Sequence, residues 1–307
     1  MRNLAPVALF VHARIDHTVK VINALKLNEL ATSTELYIFS DGARNNDEEN
    51  MVSSIRLLIS NIEGFKKVNI VERQENYGLK LNIVEGLNQV LNEHESVIVL
   101  EDDCVTSPDF LSYMNYNLKF YSNDYDDVWH ISAWNPGVNF ENKTFPSYYM
   151  SCWGWATWKY RWQELCFEPL ELMGRMSLAE RYRFNLKGRY PFYSHLLGNY
   201  LGINNTWAVF WYATIFTSQG HCINPPKSLI TNLGMDGSGT HSAIYFDQQN
   251  KNVKYKKFNE NTNVLDDTLN ALSDVFGVKQ TKIQYTYGLI KMLLPLWILK
   301  LVKELKG

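Results

Sequence analysis

The chain has 307 residues, of which 46% are hydrophobic and 20% charged, and its formal net charge is -2. This length suits one large α/β domain or a domain with an appendage, and the composition excludes an intrinsically disordered chain. The small negative charge argues against a general nucleic-acid-binding protein. Aromatic residues are frequent, at 14%, which suits carbohydrate or membrane-interface contacts but equally a tryptophan-rich core.

Short apolar runs alternate with helical patterns over the first 132 residues. Strands are predicted over residues 7–11, 35–39, 68–71, 97–100 and 128–132. Helices are predicted between them, over residues 18–27, 47–62, 78–91 and 109–121. This alternation predicts an α/β fold with a mostly parallel central sheet and helices on both faces.

Polar segments follow four of these strands. They are HARID (12–16), SDGAR (40–44), EDDC (101–104) and SAWNPG (132–137). Because ligands of such sheets bind beyond the carboxyl ends of the strands, we expect these segments to share one rim. From about residue 134 the pattern loosens into aromatic and polar stretches, and we interpret this half as a continuation that covers the rim.

The C-terminal segment, residues 279–307, carries six lysines against one acid, Glu304. Its apolar run is broken by Lys291 and Pro295 and is too short to span a bilayer. Helical spacing after Pro295 predicts a basic amphipathic helix that could lie on an anionic membrane surface. A C-terminal helix docked on the domain is an equally open alternative.

The cysteines and the N-terminal residues indicate where in the cell the protein is expected. The four cysteines are widely spaced and form no CxxC pair, so they predict neither a disulfide framework nor a zinc site. The apolar run over residues 7–11 is too short for a signal peptide. A cytoplasmic location is therefore expected.

Three consecutive carboxylates, Glu101, Asp102 and Asp103, directly follow the apolar strand that ends at Leu100. Many such triplets are solvated loops. An acid/base pair of a glycoside hydrolase fits poorly, because successive strand residues point to opposite faces and cannot flank one sugar. A divalent cation site, in which hard oxygen ligands hold Mn²⁺ or Mg²⁺ and thereby a diphosphate, fits best.

Five blocks in consistent order carry a resemblance. They are NYGLKLNIVEGLNQV (76–90), VIVLEDDCVTSPDF (97–110), HISAWNPG (130–137), CWGWATW (152–158) and NLGMDGSGTH (232–241). Together they resemble the nucleotide-sugar glycosyltransferases of the GT-A fold, in particular N-acetylglucosaminyltransferase I and bacterial polysaccharide and lipopolysaccharide glycosyltransferases. The resemblance covers residues 5 to about 241. We expect a GT-A domain over residues 1–278, with a nucleotide-sugar half at 1–133 and an acceptor half at 134–278, followed by the tail at 279–307.

The resemblance also implies a donor site. It makes Asp103 the principal metal ligand, with Asp102 and Glu101 beside it near the ribose or sugar, and it adds His241 to the metal or diphosphate. It places Arg14 and Asp41 at the base and ribose. Residues expected near the nucleotide or its diphosphate are Asn76, Gly78, Lys80 and Asn82. The alternative for Asn76 and Gly78 is a purely structural role at the start of the next helix, with Asn76 as the cap and Gly78 allowing the turn.

The catalytic base is less well marked. In the inverting relatives it is an acid near a tryptophan of the second half, but residues 204–212 of this chain contain no acid. Asp236 is the remaining candidate, and a turn role in its Asp-Gly dipeptide is the alternative. Four residues are expected on the sugar and acceptor side, where flat rings complement sugar faces, with packing under the rim as the alternative: Trp134, Asn135, Trp153 and Trp155.

The expected function is metal-dependent transfer of a sugar from a UDP- or dTDP-sugar to a hydroxyl of a glycan or lipid-linked saccharide. The resemblance favours inversion. The basic C-terminal tail and the lack of a secretion signal suggest a bacterial enzyme of surface polysaccharide biosynthesis on the inner face of the cytoplasmic membrane. A non-catalytic nucleotide-sugar or carbohydrate-binding protein derived from such an enzyme is the alternative. Neither a dinucleotide fingerprint (GxGxxG) after the first strand nor a P-loop (GxxxxGK[ST]) occurs.

Overall fold

The structure is a computed structural model that describes residues 4–122, 127–138, 140, 143–236 and 263–277, and eight residues between 290 and 303. For residues 235, 236 and 263 it describes the backbone alone. The chain forms two compact units. The first unit comprises Met1–Thr144, Ser151–Gln163 and Ile223–Lys257, and the second comprises Phe145–Met150, Glu164–Cys222 and Phe258–Gly307.

Ten strands occur in the described residues. In chain order they are β1 (Val7–Val11), β2 (Glu35–Ser40), β3 (Lys67–Glu72), β4 (Ser96–Glu101), β5 (Cys104–Thr106), β6 (Val128–Ser132), β7 (Phe145–Ser147), β8 (Trp155–Trp158), β9 (His221–Asn224) and β10 (Ile230–Asn232).

Ten α-helices occur in the same part of the chain. They are α1 (Ile15–Lys26), α2 (Asn46–Ile59), α3 (Gly78–Glu93), α4 (Phe110–Phe120), α5 (Lys159–Trp162), α6 (Pro169–Gly174), α7 (Leu178–Phe184), α8 (Phe192–Tyr200), α9 (Ala208–Thr217) and α10 (Asn263–Gly277). Short 3-10 helices lie at Ala31–Ser33 and Leu233–Asp236.

The sheet of the first unit has the strand order β3-β2-β1-β4-β8-β6. The β1 strand pairs in parallel with β2 and β4, and β2 pairs in parallel with β3. The β8 strand is antiparallel to both β4 and β6. The predicted mostly parallel α/β sheet is therefore confirmed, with β8 as an antiparallel strand that the alternation did not predict.

The central strands are largely apolar because they are covered on both faces. Every residue of β1 and β6 is buried, and both strands have the predicted bounds. The helix α3 lies close to this sheet. A Cβ added at Gly86 would come within 2.6 Å of the Phe10 ring and 3.2 Å of Phe39, so a glycine inside α3 allows the close approach.

A second, two-stranded sheet connects two parts of the first unit that are far apart in the sequence. The β10 strand pairs antiparallel with β5, with Asn232 opposite Cys104 and Ile230 opposite Thr106. Directly after β10, the backbone N–H of Leu233 donates to the carbonyl oxygen of Asp103 at 2.8 Å. This pairing brings the 3-10 helix Leu233–Asp236 onto the acidic segment.

The second unit contains helices α6 to α10 around an aromatic core. The rings of Phe184 and Tyr212 stack at 4.4 Å, and Phe192 packs edge-on against Tyr212 at 5.0 Å. The helix α9 is buried from Val209 to Phe216. None of the helices that the structure describes is both long enough and apolar enough to cross a bilayer.

Described residues of the C-terminal segment pack on helices of this second unit. Met292 is buried, and its carbonyl oxygen accepts a hydrogen bond from Arg181 Nη1 at 2.8 Å. The Lys303 ammonium lies 4.4 Å from the centre of the Tyr200 ring. The docked arrangement is thus present for this part of the segment.

The units divide the sequence differently from the expected halves. The expected boundary lies near residue 133, whereas Ser151–Gln163 and Ile223–Lys257 return to the first unit. The reason is strand pairing, because β8 pairs with β4 and β10 pairs with β5.

Candidate active site

The polar segments predicted to share a rim all follow strands of the first unit. Arg14 lies after β1, Asp41 after β2, Glu101 at the end of β4 and Trp134 after β6. Since β1, β2 and β4 are parallel neighbours, their carboxyl ends lie on the same edge of the sheet. This edge is the place where sheets of this kind bind ligands.

Arg14 holds the acidic segment through two aspartates. Its Nη2 forms an ion pair with Asp102, its Nε donates to Asp102 Oδ2 at 3.3 Å, and Nη2 lies 3.1 Å from Asp103 Oδ2. The Asp102 side chain is 6% exposed and the Asp103 side chain 13%. The backbone of His12 also donates to Asp102. The two aspartates are therefore enclosed beside a cation.

The negative charge at this point exceeds what one guanidinium neutralises. Burial, and next the charges of Asp103 and Asp102, raise the pKa of Glu101 to about 8. Burial also raises the pKa of Asp102 above its ordinary value, although Arg14 opposes that shift. The pKa of Arg14 is raised by Asp102 and Asp103 against the opposing effect of burial. A further cation would relieve this excess, so the donor set fits a divalent ion.

The carboxylates do not form a complete metal cage by themselves. Within the described ranges, no three His, Cys, Asp or Glu side chains are arranged to hold a metal ion. Magnesium-like ions usually take one or two carboxylates from a protein and complete their shell with water and substrate phosphates. The acidic segment suits that mode of binding.

Asn232 and Gly234 fix the position of Asp103, and sequence reasoning had not selected either residue. Asn232 Nδ2 lies 3.4 Å from Asp103 Oδ1, and Asn232 Oδ1 accepts from the Gly234 backbone at 2.8 Å. A Cβ added at Gly234 would lie only 2.5 Å from Asp103 Oδ2. Both residues lie in the sequence block NLGMDGSGTH (232–241), in which only Asp236 and His241 had been predicted to be functional.

Asp41 and Asn76 connect the loops that follow β2 and β3. Asp41 Oδ1 accepts from the backbone N–H groups of Gly42 at 2.9 Å and Tyr77 at 2.8 Å. Asn76 Nδ2 donates to the carbonyl oxygen of Gly42 at 2.7 Å and lies 3.3 Å from Asp41 Oδ2. Asp41 is 4% exposed. Both residues stand at the predicted edge of the sheet, where they shape the loops.

His12, which sequence reasoning also passed over, links this loop network to the acidic segment. Its ring Nε2 lies 3.0 Å from the Gly42 carbonyl oxygen and 3.2 Å from Glu48 Oε2. Its backbone donates to Asp102. The only sequence signal for His12 was its place in HARID beside Arg14.

The remaining residues predicted near the nucleotide lie at the start of α3. Gly78 has φ +67, a left-handed conformation suited to glycine. Asn82 is buried and accepts from Arg73 Nε at 3.1 Å. Burial lowers the pKa of Lys80. The Arg73 guanidinium, which was not predicted, lies 4.7 Å from the centre of the Tyr77 ring.

Three residues expected on the sugar side are largely enclosed. Trp134 is 1% and Trp155 0% exposed. The Asn135 amide donates to carbonyl oxygens of Val138 and Pro225 at 2.8 and 2.9 Å. Packing under the rim, the alternative to sugar contact, describes these three side chains. Trp153 is partly exposed and meets Trp134 edge-on at 4.6 Å.

Two predicted residues cannot be placed by their side chains. The backbone of Asp236 ends the 3-10 helix Leu233–Asp236, but its side chain lies outside the described residues. His241 lies outside them altogether.

Comparisons with known proteins bear on the class of this site. Residues 40–169 match the model of the GNT-I family, whereas no curated protein matches the chain significantly. The chain is similar to a crystal structure of S. aureus TarS, with a TM-score of 0.40 and 12% identity over 75% of this chain and 60% of that chain. The chain thus spans about 60% of the length of that TarS structure.

Two further solved structures are similar. One is the mannosyltransferase PcManGT from Pyrobaculum calidifontis in complex with GDP-Man and Mn²⁺, with a TM-score of 0.36 and 12% identity over 71% of this chain and 72% of that chain. The other is a cytidylyltransferase from Leptospira borgpetersenii, with a TM-score of 0.33 and 8% identity over 52% of this chain and 63% of that chain.

The family match begins at the end of β2 and continues through the acidic segment, β6 and β8. It therefore includes four of the five blocks in full and most of the edge of the sheet described above. Over residues 40–169 the chain is similar to the GNT-I family, which confirms the predicted resemblance and supports a glycosyltransferase.

Proposed function

We propose that the chain is a metal-dependent glycosyltransferase. It moves a sugar from a UDP- or dTDP-sugar to a hydroxyl of a glycan or lipid-linked saccharide, with inversion, in bacterial surface polysaccharide biosynthesis. One observation carries this proposal: two enclosed aspartates are held by Arg14 at the carboxyl ends of β1 and β4, and the aspartates belong to the segment that matches the GNT-I family.

In this proposal Asp103 holds Mn²⁺ or Mg²⁺, with Asp102 and Glu101 beside it. When bound, that ion supplies positive charge that neutralises the departing nucleoside diphosphate. Arg14 keeps the two aspartates in position and adds a fixed positive charge on the same side. Asp41 and Asn76 hold the loops that border the base and ribose, and Lys80 approaches the diphosphate.

Asp236 takes the proton from the acceptor hydroxyl as the oxygen attacks the anomeric carbon. Its support is its position, since it lies two residues after Gly234, whose Cα adjoins the Asp103 carboxylate. His241, five residues further, completes the metal or diphosphate contacts in this proposal.

The acceptor side is assigned to Trp153 among the predicted tryptophans, because it keeps an exposed surface at the rim. Flat rings bind the apolar faces of sugars well. Trp134, Trp155 and Asn135 support that rim from within. A lipid-linked acceptor places the protein on the inner face of the cytoplasmic membrane.

A second candidate function is a non-catalytic protein that binds a nucleotide sugar. It is favoured by the stretch 204–212, which contains no acid where inverting relatives carry their base. Both candidates bind the donor, and only the enzyme releases nucleoside diphosphate when acceptor is added.

The decisive experiment measures donor binding by thermal shift, with UDP or dTDP in the presence and absence of Mn²⁺. We expect Mn²⁺-dependent stabilisation of the native chain and its loss in Asp103→Asn. Asp47→Asn, a change of an exposed aspartate in α2, serves as the matched control and should keep the signal. Full stabilisation of Asp103→Asn would refute the metal assignment.

A coupled assay for released UDP or dTDP, run with a panel of nucleotide sugars and saccharide acceptors, then separates enzyme from binding protein. Release that depends on acceptor and is abolished by Asp236→Asn supports transfer with Asp236 as the base. Donor binding without release by any pair would favour the non-catalytic candidate.

A further inference from the structure

A chain of contacts between flat side chains runs from the core of the first unit to the carboxyl edge of its sheet. It begins with Phe10 of β1 and Phe39 of β2, which are opposite each other in the two strands and stack with ring centres 5.0 Å apart. Both phenylalanines are buried. Arg73, directly after β3, continues the chain, because its Cζ lies 5.7 Å from the centre of the Phe39 ring and 4.7 Å from that of Tyr77. The chain of contacts thus reaches Tyr77.

The Arg73 guanidinium is largely taken up by the protein itself. Its Nε donates to Asn82 Oδ1 at 3.1 Å, and Asn82 is buried in α3. Its Nη2 is buried and forms no hydrogen bond with any residue that the structure describes. A buried nitrogen offers no contact to a phosphate group. The contacts of Arg73 therefore indicate that it holds the Tyr77 ring in place, through cation–π attraction.

Tyr77 lies where the base of the donor nucleotide is expected. Its backbone N–H donates to Asp41 Oδ1 at 2.8 Å. In the proposed function Asp41 holds the loops that border the base and ribose. The Tyr77 side chain is partly exposed, unlike Phe10 and Phe39. A flat ligand at this edge of the sheet can therefore extend the chain of contacts by one more member.

We propose that the pyrimidine base of the donor nucleotide stacks on the ring of Tyr77, and that Arg73 is the positioning residue that holds this ring. Every nucleobase has a flat π-face, and aromatic side chains are effective platforms for it. A ring that a guanidinium already holds loses little rotational freedom when the base binds. The proposal rests on the proposed function and adds to it a contact with the base.

The test compares UDP with pyrophosphate, which lacks the base, in calorimetric titrations of the full chain with Mn²⁺. Tyr77→Leu should lower the affinity for UDP about tenfold or more, because stacking is lost. Tyr77→Phe keeps the ring and should bind UDP within about twofold of the native chain. Both variants keep the backbone N–H that holds Asp41, so the affinity for pyrophosphate should be unchanged.

Arg73→Lys tests the positioning role. It keeps the positive charge but removes the flat guanidinium that lies over the ring. We expect about threefold lower affinity for UDP and native affinity for pyrophosphate. A general loss of structure at this edge would instead lower both affinities together.

Tyr160→Leu is the matched control, because Tyr160 is 43% exposed and the guanidinium of Arg161 lies over its ring at 4.9 Å. Tyr160 follows β8 at the opposite edge of the sheet, where Trp158 pairs with Ser96 at the start of β4. This variant should bind both UDP and pyrophosphate like the native chain.

Three results would overturn the proposal. They are native UDP affinity in Tyr77→Leu, equal losses of UDP and pyrophosphate affinity in Tyr77→Leu, and a loss of UDP affinity in Tyr160→Leu as large as that in Tyr77→Leu. Urea unfolding shows whether each variant is folded, and Arg73→Lys carries the test if Tyr77→Leu does not fold. Native UDP affinity in Tyr77→Leu refutes this inference alone, whereas a native chain that binds neither UDP nor pyrophosphate refutes the proposed function with it.

Discussion

At the scale of single residues, the ion pairs of Arg14 with Asp102 and Asp103 hold the two aspartate side chains of the acidic segment in place. Two aspartates share one guanidinium, and Glu101 beside them has a pKa raised to about 8 by burial and by their charges. A divalent ion that binds Asp103 must compete with Arg14 for the same carboxylate oxygens. We therefore expect Arg14 to lower the cation affinity of the free protein while it holds the two aspartates in place.

Replacing Arg14 should separate these two effects. Arg14→Gln leaves Asp102 enclosed without its cationic partner, which we expect to lower the free energy of unfolding by about 3 kcal/mol. Mn²⁺ should then raise the melting temperature more in this variant than in the native chain, because it meets no competing guanidinium. Urea unfolding and thermal shift with Mn²⁺ measure the two quantities.

Arg44→Gln is the control for this substitution. Its side chain is 65% exposed and its Nε lies 3.8 Å from Glu48, so both quantities should remain near the native values. Arg14 would not compete with the cation if Mn²⁺ stabilised Arg14→Gln no more than the native chain.

A second residue, His130, makes stability depend on pH. It is buried in β6, its Nε2 donates to the carbonyl oxygen of Ser151 at 3.0 Å, and its ring stacks on Trp155 at 5.1 Å. Burial lowers the pKa of His130 from 6.5 to about 3. The unfolded chain therefore binds a proton here between pH 6.5 and pH 3 while the folded chain does not.

Stability should consequently fall as the pH falls through that window, by about 1.4 kcal/mol per pH unit from His130 alone. Above pH 6.5 His130 is neutral in both the folded and the unfolded chain, so it no longer makes stability depend on pH. His130→Gln keeps a neutral donor and should flatten this part of the profile, measured by urea unfolding at a series of pH values. An unchanged acid slope in His130→Gln would show that other groups cause it.

At the scale of elements, the position of Asp103 depends on β10 and the 3-10 helix after it. The β5–β10 pair and the bond from Leu233 to the Asp103 carbonyl bring Asn232 and Gly234 onto the acidic segment. These elements lie about 130 residues apart in sequence and contain only three or four residues each. A single methyl group at their contact should therefore affect ligand binding more than folding.

Gly234→Ala tests this contact. The added Cβ would come within 2.5 Å of Asp103 Oδ2, so the carboxylate must move away from its place beside Arg14. Because a terminal side-chain atom can shift, we expect a loss of stability of no more than about 1 kcal/mol but a fall of roughly tenfold or more in affinity for UDP with Mn²⁺. Isothermal titration calorimetry and urea unfolding give the two values.

Gly202→Ala, at a glycine with φ +68 and no atom within 4 Å of an added Cβ, controls for glycine replacement elsewhere. It should cost about 1 kcal/mol of stability through backbone strain and leave UDP affinity intact. Native affinity in Gly234→Ala would show that the contact does not position Asp103.

At the scale of the whole molecule, the described candidate donor residues all belong to the first unit, whereas the aromatic core and the described C-terminal residues belong to the second. Ligands protect the parts of a protein that they hold closed. UDP with Mn²⁺ should slow hydrogen exchange in the segments after β1, β2 and β4 and leave α6 to α9 largely unchanged. Exchange measured by mass spectrometry on the full chain, with Asp103→Asn as the control, provides this map.

Protection confined to α6 to α9 would contradict the placement of the donor site. Protection of both units would indicate that donor binding also orders the second unit, which is the unit that holds the stretch without an acid at 204–212.

The sequence by itself determined five of the ten described strands, the helices between them and the acidic segment. The spacing of apolar residues along a short stretch indicates which side chains are buried. For this reason the bounds of β1 and β6 were predicted to the residue. Three carboxylates after Leu100 marked the site because uncompensated charge at the end of a buried strand is costly. The five sequence blocks gave the resemblance that the family match confirms.

Only the tertiary structure decided which distant groups meet. It pairs Arg14 with an aspartate 88 residues away, places Gly234 against Asp103 and uses Asn135 to hold a loop. It also buries Trp134 and Trp155, which the sequence could assign equally to sugar or core. These contacts depend on strand register and packing between remote segments, and no local pattern of residues encodes them.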